Sequence, residues 1–499
     1  MMANLNEVTI PALPTLPPEY LRPELMVIGD SLAQGCRSLS VQATYCRQSW
    51  PARVATSQGW TFRTPDFPRP ILFDLEQEIR LLGDVIQLAP AEIRFQGLVG
   101  RFLQNLRAWL ANKKESAFLC FDNLGLSGAQ PYDLYTRTAA SSNAEIAKTC
   151  PNGPATSSVP YSDISTLHLG INGRYVLNPS QNPAFENLTP LMWVQARQPK
   201  RLFIQIGHNN GLYAIGADAD PQRLNFTQDN PNGDKFFDSF KTIAKAVAEM
   251  PDSVEAVLVA LLPKVGTVAN LRPNNNTRSN GYADYYSPVF STSKTVLPGA
   301  TLAQVDQQIA DANSQIVEIF RQAAQAAGRV SRLTFLDAFK MFETIDYKNT
   351  LDVAERISID QDHVIDNNYL AGSLVPALPF PLGQPPLKKV INHGGFQSID
   401  GMHPTGCGYA VVASWAMKLL DLPNNDLAKL LDQSLMDDPL VHDVPLKLDL
   451  LTAVLTQFKR TLRAGSIPFP PRQAITEDAD DPHLIDVVRL AHQVIGSRE

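Results

Sequence analysis

The sequence predicts an α/β fold: a doubly wound, mainly parallel sheet of five strands layered between helices. Three observations predict it. Short runs of apolar and β-favouring residues recur along the chain, amphipathic helical patterns separate and follow them, and small polar residues stand just after three of the runs. With 499 residues, the chain is long enough for one such domain carrying large insertions.

The first strand is expected over 24–28, in the stretch PELMVIGDSLAQG, and runs straight into Gly29-Asp30-Ser31-Leu32. Further strands are expected over 117–121, 201–206, 256–262 and 332–336. Helical periodicity covers 75–87, 97–112, 235–250 and 302–327. The connections are far longer than usual for α/β units, so 37–116, 129–200, 263–300 and 340–397 are read as insertions, serving either as a lid and specificity wall or as surface decoration. Residues 1–422 then form the main domain. Residues 423–499 form a helical C-terminal extension with helices over 426–434, 447–464 and 482–496, the last opened by Asp481-Pro482.

Composition excludes several classes. Apolar residues make up 44% of the chain and charged residues 19%, which suits a globular protein with a sizeable core. A net charge of −7 without a basic stripe disfavours nucleic acid and anionic lipid surfaces. The longest apolar runs, such as 256–263, fall short of the roughly 20 residues that span a bilayer, so no transmembrane segment is expected. The N-terminus lacks a basic and then apolar signal pattern. A cytoplasmic location is therefore favoured, with secretion still open through a removed signal or another export route. Cys36, Cys46, Cys120, Cys150 and Cys407 are odd in number and contain no CxxC pair. Cys36 with Cys46 is the one local bridge to consider.

In open parallel sheets ligands bind beyond the carboxyl ends of the strands. The sequence places Gly29-Asp30-Ser31 after the first strand, Asn123 to Gly128 after the second and Gly207-His208-Asn209-Asn210 after the third. Near the C-terminus Asp400 and His403 stand three residues apart, just before an amphipathic helix with Thr405 as candidate N-cap. A carboxylate at that spacing can orient an imidazole and stabilise its charged form, leaving the other ring nitrogen to activate a hydroxyl. Ser31 is the candidate hydroxyl.

Four blocks, Gly29-Asp30-Ser31-Leu32, Gly128 in NLGLSGA, Asn209 in IGHNN and Asp400-x-x-His403, resemble in order and placement the four sequence blocks of the SGNH (GDSL) hydrolases. The resemblance implies a flavodoxin-like α/β/α sandwich and ester hydrolysis through an acyl enzyme. It implies Ser31 as nucleophile, His403 as general base and acid, and Asp400 as the orienting carboxylate. The oxyanion hole would comprise the N–H groups of Ser31 and Gly128 and the side-chain amide of Asn209. Asp30 is expected to tie down the turn rather than join the chemistry. Asn210 stands where the family commonly has Asp.

The expected substrate is a lipid, small acyl or acetylated carbohydrate ester. The same residues could instead serve an acyltransferase, or the scaffold could be a non-catalytic binding protein. A rival nucleophile is Ser127, since Gly125-Leu126-Ser127-Gly128-Ala129 nearly matches the G-x-S-x-G elbow. His208 and His393 are the other histidines near these loops and are read as structural. Phosphate-cradling glycine motifs and metal-binding histidine patterns are missing, so no cofactor and no metal are expected. Asp218-Ala219-Asp220 lacks the rest of a calcium loop, and the cluster Asp478, Asp480, Asp481 and His483 is read as helix capping and solvated charge.

Overall fold

The computed structural model describes residues 15–435, apart from 73, 75, 77–90, 115, 156–157, 161–162, 230–234, 276–280, 289–295, 347, 349–356, 359–363, 370, 377–386, 394 and 399, and it also describes 466–468. Five parallel strands form the central sheet: β1 (Leu25–Gly29), β2 (Asn123–Gly125), β3 (Arg201–Gln205), β4 (Ala256–Ala260) and β5 (Leu333–Leu336). Their spatial order is β2-β1-β3-β4-β5, the order of the flavodoxin-like doubly wound fold.

Side chains alternate across a strand, and here both sides are buried. Met26, Ile28, Leu202, Ile204, Val257 and Val259 enter one core, whereas Leu25, Val27, Phe203, Leu258 and Ala260 enter the other. Burial on both faces explains why LMVIG and AVLVA read as unbroken apolar runs. The site depends on eight helices: α1 (Ser31–Gln34), α2 (Trp50–Gln58), α3 (Ile164–Leu177), α4 (Pro190–Arg197), α5 (Phe236–Ala248), α6 (Gly299–Ala326), α7 (Ala338–Thr344) and α8 (Gly406–Leu419). Helices α3 to α6 cover the first face, and α2, α7 and α8 cover the second. Trp50 of α2 stacks on Phe203 at 5.1 Å between centroids and donates its indole N–H to the Gln205 side chain at 2.6 Å.

The second strand lies at Asn123–Gly125 rather than over 117–121. Its ladder begins where the Val27 N–H reaches the Asp122 carbonyl and Val27 pairs with Asn123. Just before it, the Arg197 guanidinium takes the Phe121 carbonyl and the Asp122 carboxylate. Cys120 and Phe121 are buried, so they supply an apolar signal without a ladder.

The stretches read as insertions contain α2, α3 and α4 together with several small sheets. Leu271–Pro273, Tyr285–Pro288 and Leu297–Pro298 form one, and Ala371–Pro376 pairs with Leu387–His393 in another. Of residues 423–499, helix Leu427–Leu435 packs Leu430 and Leu431 into the second core, and Ser466–Pro468 pairs with Ser158–Pro160. The helices expected over 447–464 and 482–496, almost all of the one over 75–87, and the Asp478 to His483 cluster lie outside the described residues. All five cysteines are free and buried, so Cys36 and Cys46 are not bridged. No helix among the described residues is long and apolar enough to cross a membrane.

One polar cluster braces the loop after β4 against the turn that carries His403. The Lys348 ammonium donates to the carbonyls of Gly266, Val268 and Leu271 at 2.6, 2.8 and 3.0 Å. Asp306 accepts the Gly266 N–H at 3.0 Å and the Tyr282 hydroxyl at 2.8 Å. Asn270 then donates its N–H to the Gly401 carbonyl. Burial pushes the Asp306 carboxyl up to about 6, against the opposing pull of the Gly266 N–H, the Tyr282 hydroxyl and nearby lysines.

A carboxyl that protonates more readily in the folded chain lowers stability as pH rises through its unfolded and then its folded pKa. This term should therefore weaken the fold between about pH 4 and pH 6. Urea unfolding of Asp306→Asn and the unsubstituted chain should show a stability difference that moves in favour of the variant by up to about 3 kcal/mol over that window. A difference independent of pH would show that Asp306 does not titrate there.

Candidate active site

Because β1 lies between β2 and β3, the loops after these three strands are neighbours at the carboxyl edge of the sheet. Glycine permits the close approach. A Cβ on Gly29 would stand 2.0 Å from the Gln205 carbonyl oxygen of β3. The Asp30 N–H donates to that same oxygen at 2.9 Å, and the Leu126 N–H reaches back to the Gly29 carbonyl at 2.9 Å. Ser31 then opens α1, with Asp30 as its N-cap accepting the Leu32 N–H.

His403 arrives from the other end of the chain. The Ser398 N–H donates to the His403 carbonyl at 2.8 Å and closes the turn. Thr405 caps α8 by accepting the Gly408 N–H at 2.9 Å, as its position in the sequence predicts. Gly408 is pressed against the Phe396 carbonyl, where a Cβ would stand 2.2 Å away.

These two ends meet in one chain of hydrogen bonds. Asp400 Oδ2 lies 2.6 Å from His403 Nδ1, and His403 Nε2 lies 3.1 Å from Ser31 Oγ. All three side chains are buried. The other carboxylate oxygen of Asp400, Oδ1, accepts the N–H groups of Met402 and His403 at 2.9 and 2.8 Å. Burial alone would raise the Asp400 carboxyl. The His403 charge and these bonds outweigh it and hold the group below the usual carboxylate range. Burial likewise opposes charge on His403, but Cys36 and Asp400 raise the imidazole well above its ordinary value.

Gly128 and Asn209 stand on the two flanking loops. Gly128 adopts φ +93°, a left-handed conformation that glycine takes at little cost. The N–H groups of Ser31 and Gly128 have no hydrogen-bond partner among the described residues. Asn209 spends one amide N–H on the Ala129 carbonyl at 2.8 Å, which leaves the second available. Three donors are thus unspent on Ser31 and the two loops that flank it. Ser127 sits in the turn before Gly128 with its N–H on the Gln34 side chain, and the imidazole nitrogen that could activate a hydroxyl faces Ser31 instead.

Three further side chains belong to this setting. His208 Nδ1 lies 2.7 Å from Asp30 Oδ2, so Asp30 clasps the Asn209 loop as well as its own turn. His208 is therefore structural at this nitrogen, while its Nε2 is enclosed without a partner among the described residues. His168 on α3 also has an enclosed, unpartnered Nε2, and burial with the nearby His403 charge pushes its pKa down to about 4. Tyr213, 38% exposed, holds its ring 6.1 Å from that of His403. Nothing in the sequence marked His168 or Tyr213, since neither belongs to a motif. The side chain of His393 lies outside the described residues. No group of three or more His, Cys, Asp or Glu residues placed to hold a metal ion occurs among the described residues.

Comparison of the chain with family models, curated proteins and solved structures found no match. The functional reading therefore rests on geometry. Because its pKa is raised, the His403 imidazole should titrate, read by NMR, with a midpoint above about 6.5. In Asp400→Asn that midpoint should move down, because Asp400 is one of the groups that raise it. A midpoint that stays in place would separate Asp400 from the titration of His403.

Proposed function

We propose that the chain is a serine ester hydrolase of the SGNH (GDSL) type. The observation that carries this reading is the continuous path from Asp400 through His403 to the Ser31 hydroxyl, with unspent donors on the flanking loops supporting it. A carboxylate alone or an imidazole alone is common in a fold. The aligned chain with an adjacent set of free N–H groups fits acyl transfer.

In this reading Ser31 Oγ attacks the ester carbonyl while His403 Nε2 takes its proton, and Asp400 stabilises the imidazolium. Negative charge develops on the former carbonyl oxygen, where the N–H groups of Ser31 and Gly128 and the free amide N–H of Asn209 can stabilise it. Collapse breaks the bond to the alcohol, which leaves with the proton from His403. Water then attacks the acyl enzyme, giving its proton to His403, and the second collapse returns Ser31 and a carboxylic acid. The substrate class is a small-molecule or lipid carboxylic ester.

Turnover of short-chain nitrophenyl esters tests the assignment. Ser31→Ala should lose essentially all turnover, and Asn209→Ala should lower kcat by roughly a hundredfold or more with little change in folding. Turnover that survives Ser31→Ala would remove Ser31 from the mechanism, and near-normal kcat in Asn209→Ala would remove Asn209.

A further inference from the structure

The segment after α1 makes a tight two-residue turn. Arg37 and Ser40 exchange both backbone hydrogen bonds, N–H to carbonyl, at 3.0 and 2.9 Å. The two residues between them, Ser38 and Leu39, both adopt left-handed conformations, with φ of 52° and 59°. This is type I′ turn geometry, which favours Gly, Asn and Asp. A leucine there is strained and persists only where surrounding structure enforces it.

The enforcement is a buried charge cluster. Arg37 grips Glu76 with two hydrogen bonds, Nε to Oε1 at 2.8 Å and Nη2 to Oε2 at 2.5 Å. Its Nη1 donates to Gln48 at 2.9 Å, and its guanidinium lies 4.6 Å from the centre of the Tyr45 ring. The Ser38 hydroxyl donates to the same Glu76 carboxylate at 2.7 Å. Arg37 and Glu76 are only 1% and 2% exposed, so neither charge can relax into water.

The tip of this turn points at the acid of the site. The Leu39 N–H donates to Asp400 Oδ2 at 2.8 Å, the oxygen that faces His403 Nδ1. The Ser38 N–H donates to Ser398 Oγ at 2.9 Å, and that hydroxyl in turn donates to Asp400 Oδ1 at 3.2 Å. Both oxygens of the carboxylate are thereby held from one strained turn, which fixes the plane in which it meets the imidazole.

We infer that the Arg37–Ser40 turn is a positioning element for Asp400, and that Glu76 is the positioning residue that locks it by pinning Arg37. The inference rests on the proposed role of Asp400 and His403. Glu76 touches no reacting atom and acts through Arg37, the Leu39 N–H and Asp400 in turn.

The test reads His403 directly, by NMR titration of its imidazole in Glu76→Gln and, as a smaller change, in Ser398→Ala. The titratable groups facing His403 are Asp400, Cys36, His168 and Tyr213, and neither substitution alters any of them. Loosening Asp400 should lower the His403 pKa in both variants, cut kcat on a nitrophenyl ester about tenfold or more, and leave KM within about twofold. An unchanged His403 titration in folded Glu76→Gln would overturn the inference. Should that variant fail to fold, an unchanged titration in Ser398→Ala would do so. Because the titration needs no turnover, it judges the turn even where the unsubstituted chain hydrolyses no ester, an outcome that would defeat the proposed function alone.

Discussion

The hydrogen bond between His403 Nε2 and Ser31 Oγ joins residues 372 positions apart, and most of the molecule serves to hold its two ends. At the serine end the constraint is the sheet. Gly29 packs directly on the Gln205 carbonyl, so the turn into α1 has no slack. At the histidine end the constraints are the capped start of α8, the tight contact of Gly408 with Phe396, and the Asn270 bond to Gly401. The second core, which contains Val27 of β1 and Val411 of α8, ties the two ends together. A shift of about half an ångström between β1 and α8 would open the bond, so core packing on this face bears directly on the alignment of His403 with Ser31.

Burying charge beside the site is costly unless every charge finds partners. Asp400 is 2% exposed and meets that demand with donors from Leu39, Ser398, Met402 and His403. Arg37 with Glu76, and Arg197 with Asp122, are paired in the same way. Such pairs do little for net stability relative to apolar packing, but removing one partner leaves a buried charge uncompensated. Their effect here is geometric: Arg197 shapes the approach to β2, and Arg37 shapes the turn that reaches Asp400.

Much of the fold was legible in the sequence. β1, β3, β4 and β5 stand within about two residues of their expected positions, because strands buried on both faces leave an unambiguous apolar run. β2 lies outside its expected range, since it spans only Asn123–Gly125 and the apolar signal belongs to the irregular segment before it. Helix α3 was not expected, because ISTLHLGINGRYVL carries two glycines, and Asn172 and Arg174 are buried in it. Ser31, Gly128, Asn209, Asp400 and His403 were legible as motif residues at strand ends and before a helix. The contributions of Leu39, Glu76 and His168 were not. A backbone N–H that serves a carboxylate 361 positions away leaves no mark in the chain, and a buried arginine or glutamate looks like a surface one.

The proposed function requires that this geometry activate one serine. Labelling of the folded protein with a fluorophosphonate probe, followed by peptide mass mapping, tests it most directly. The expected result is a single adduct on Ser31 that disappears in Ser31→Ala and weakens strongly in His403→Ala. An adduct on Ser127 or another serine, or labelling of Ser31 that does not depend on His403, would contradict it.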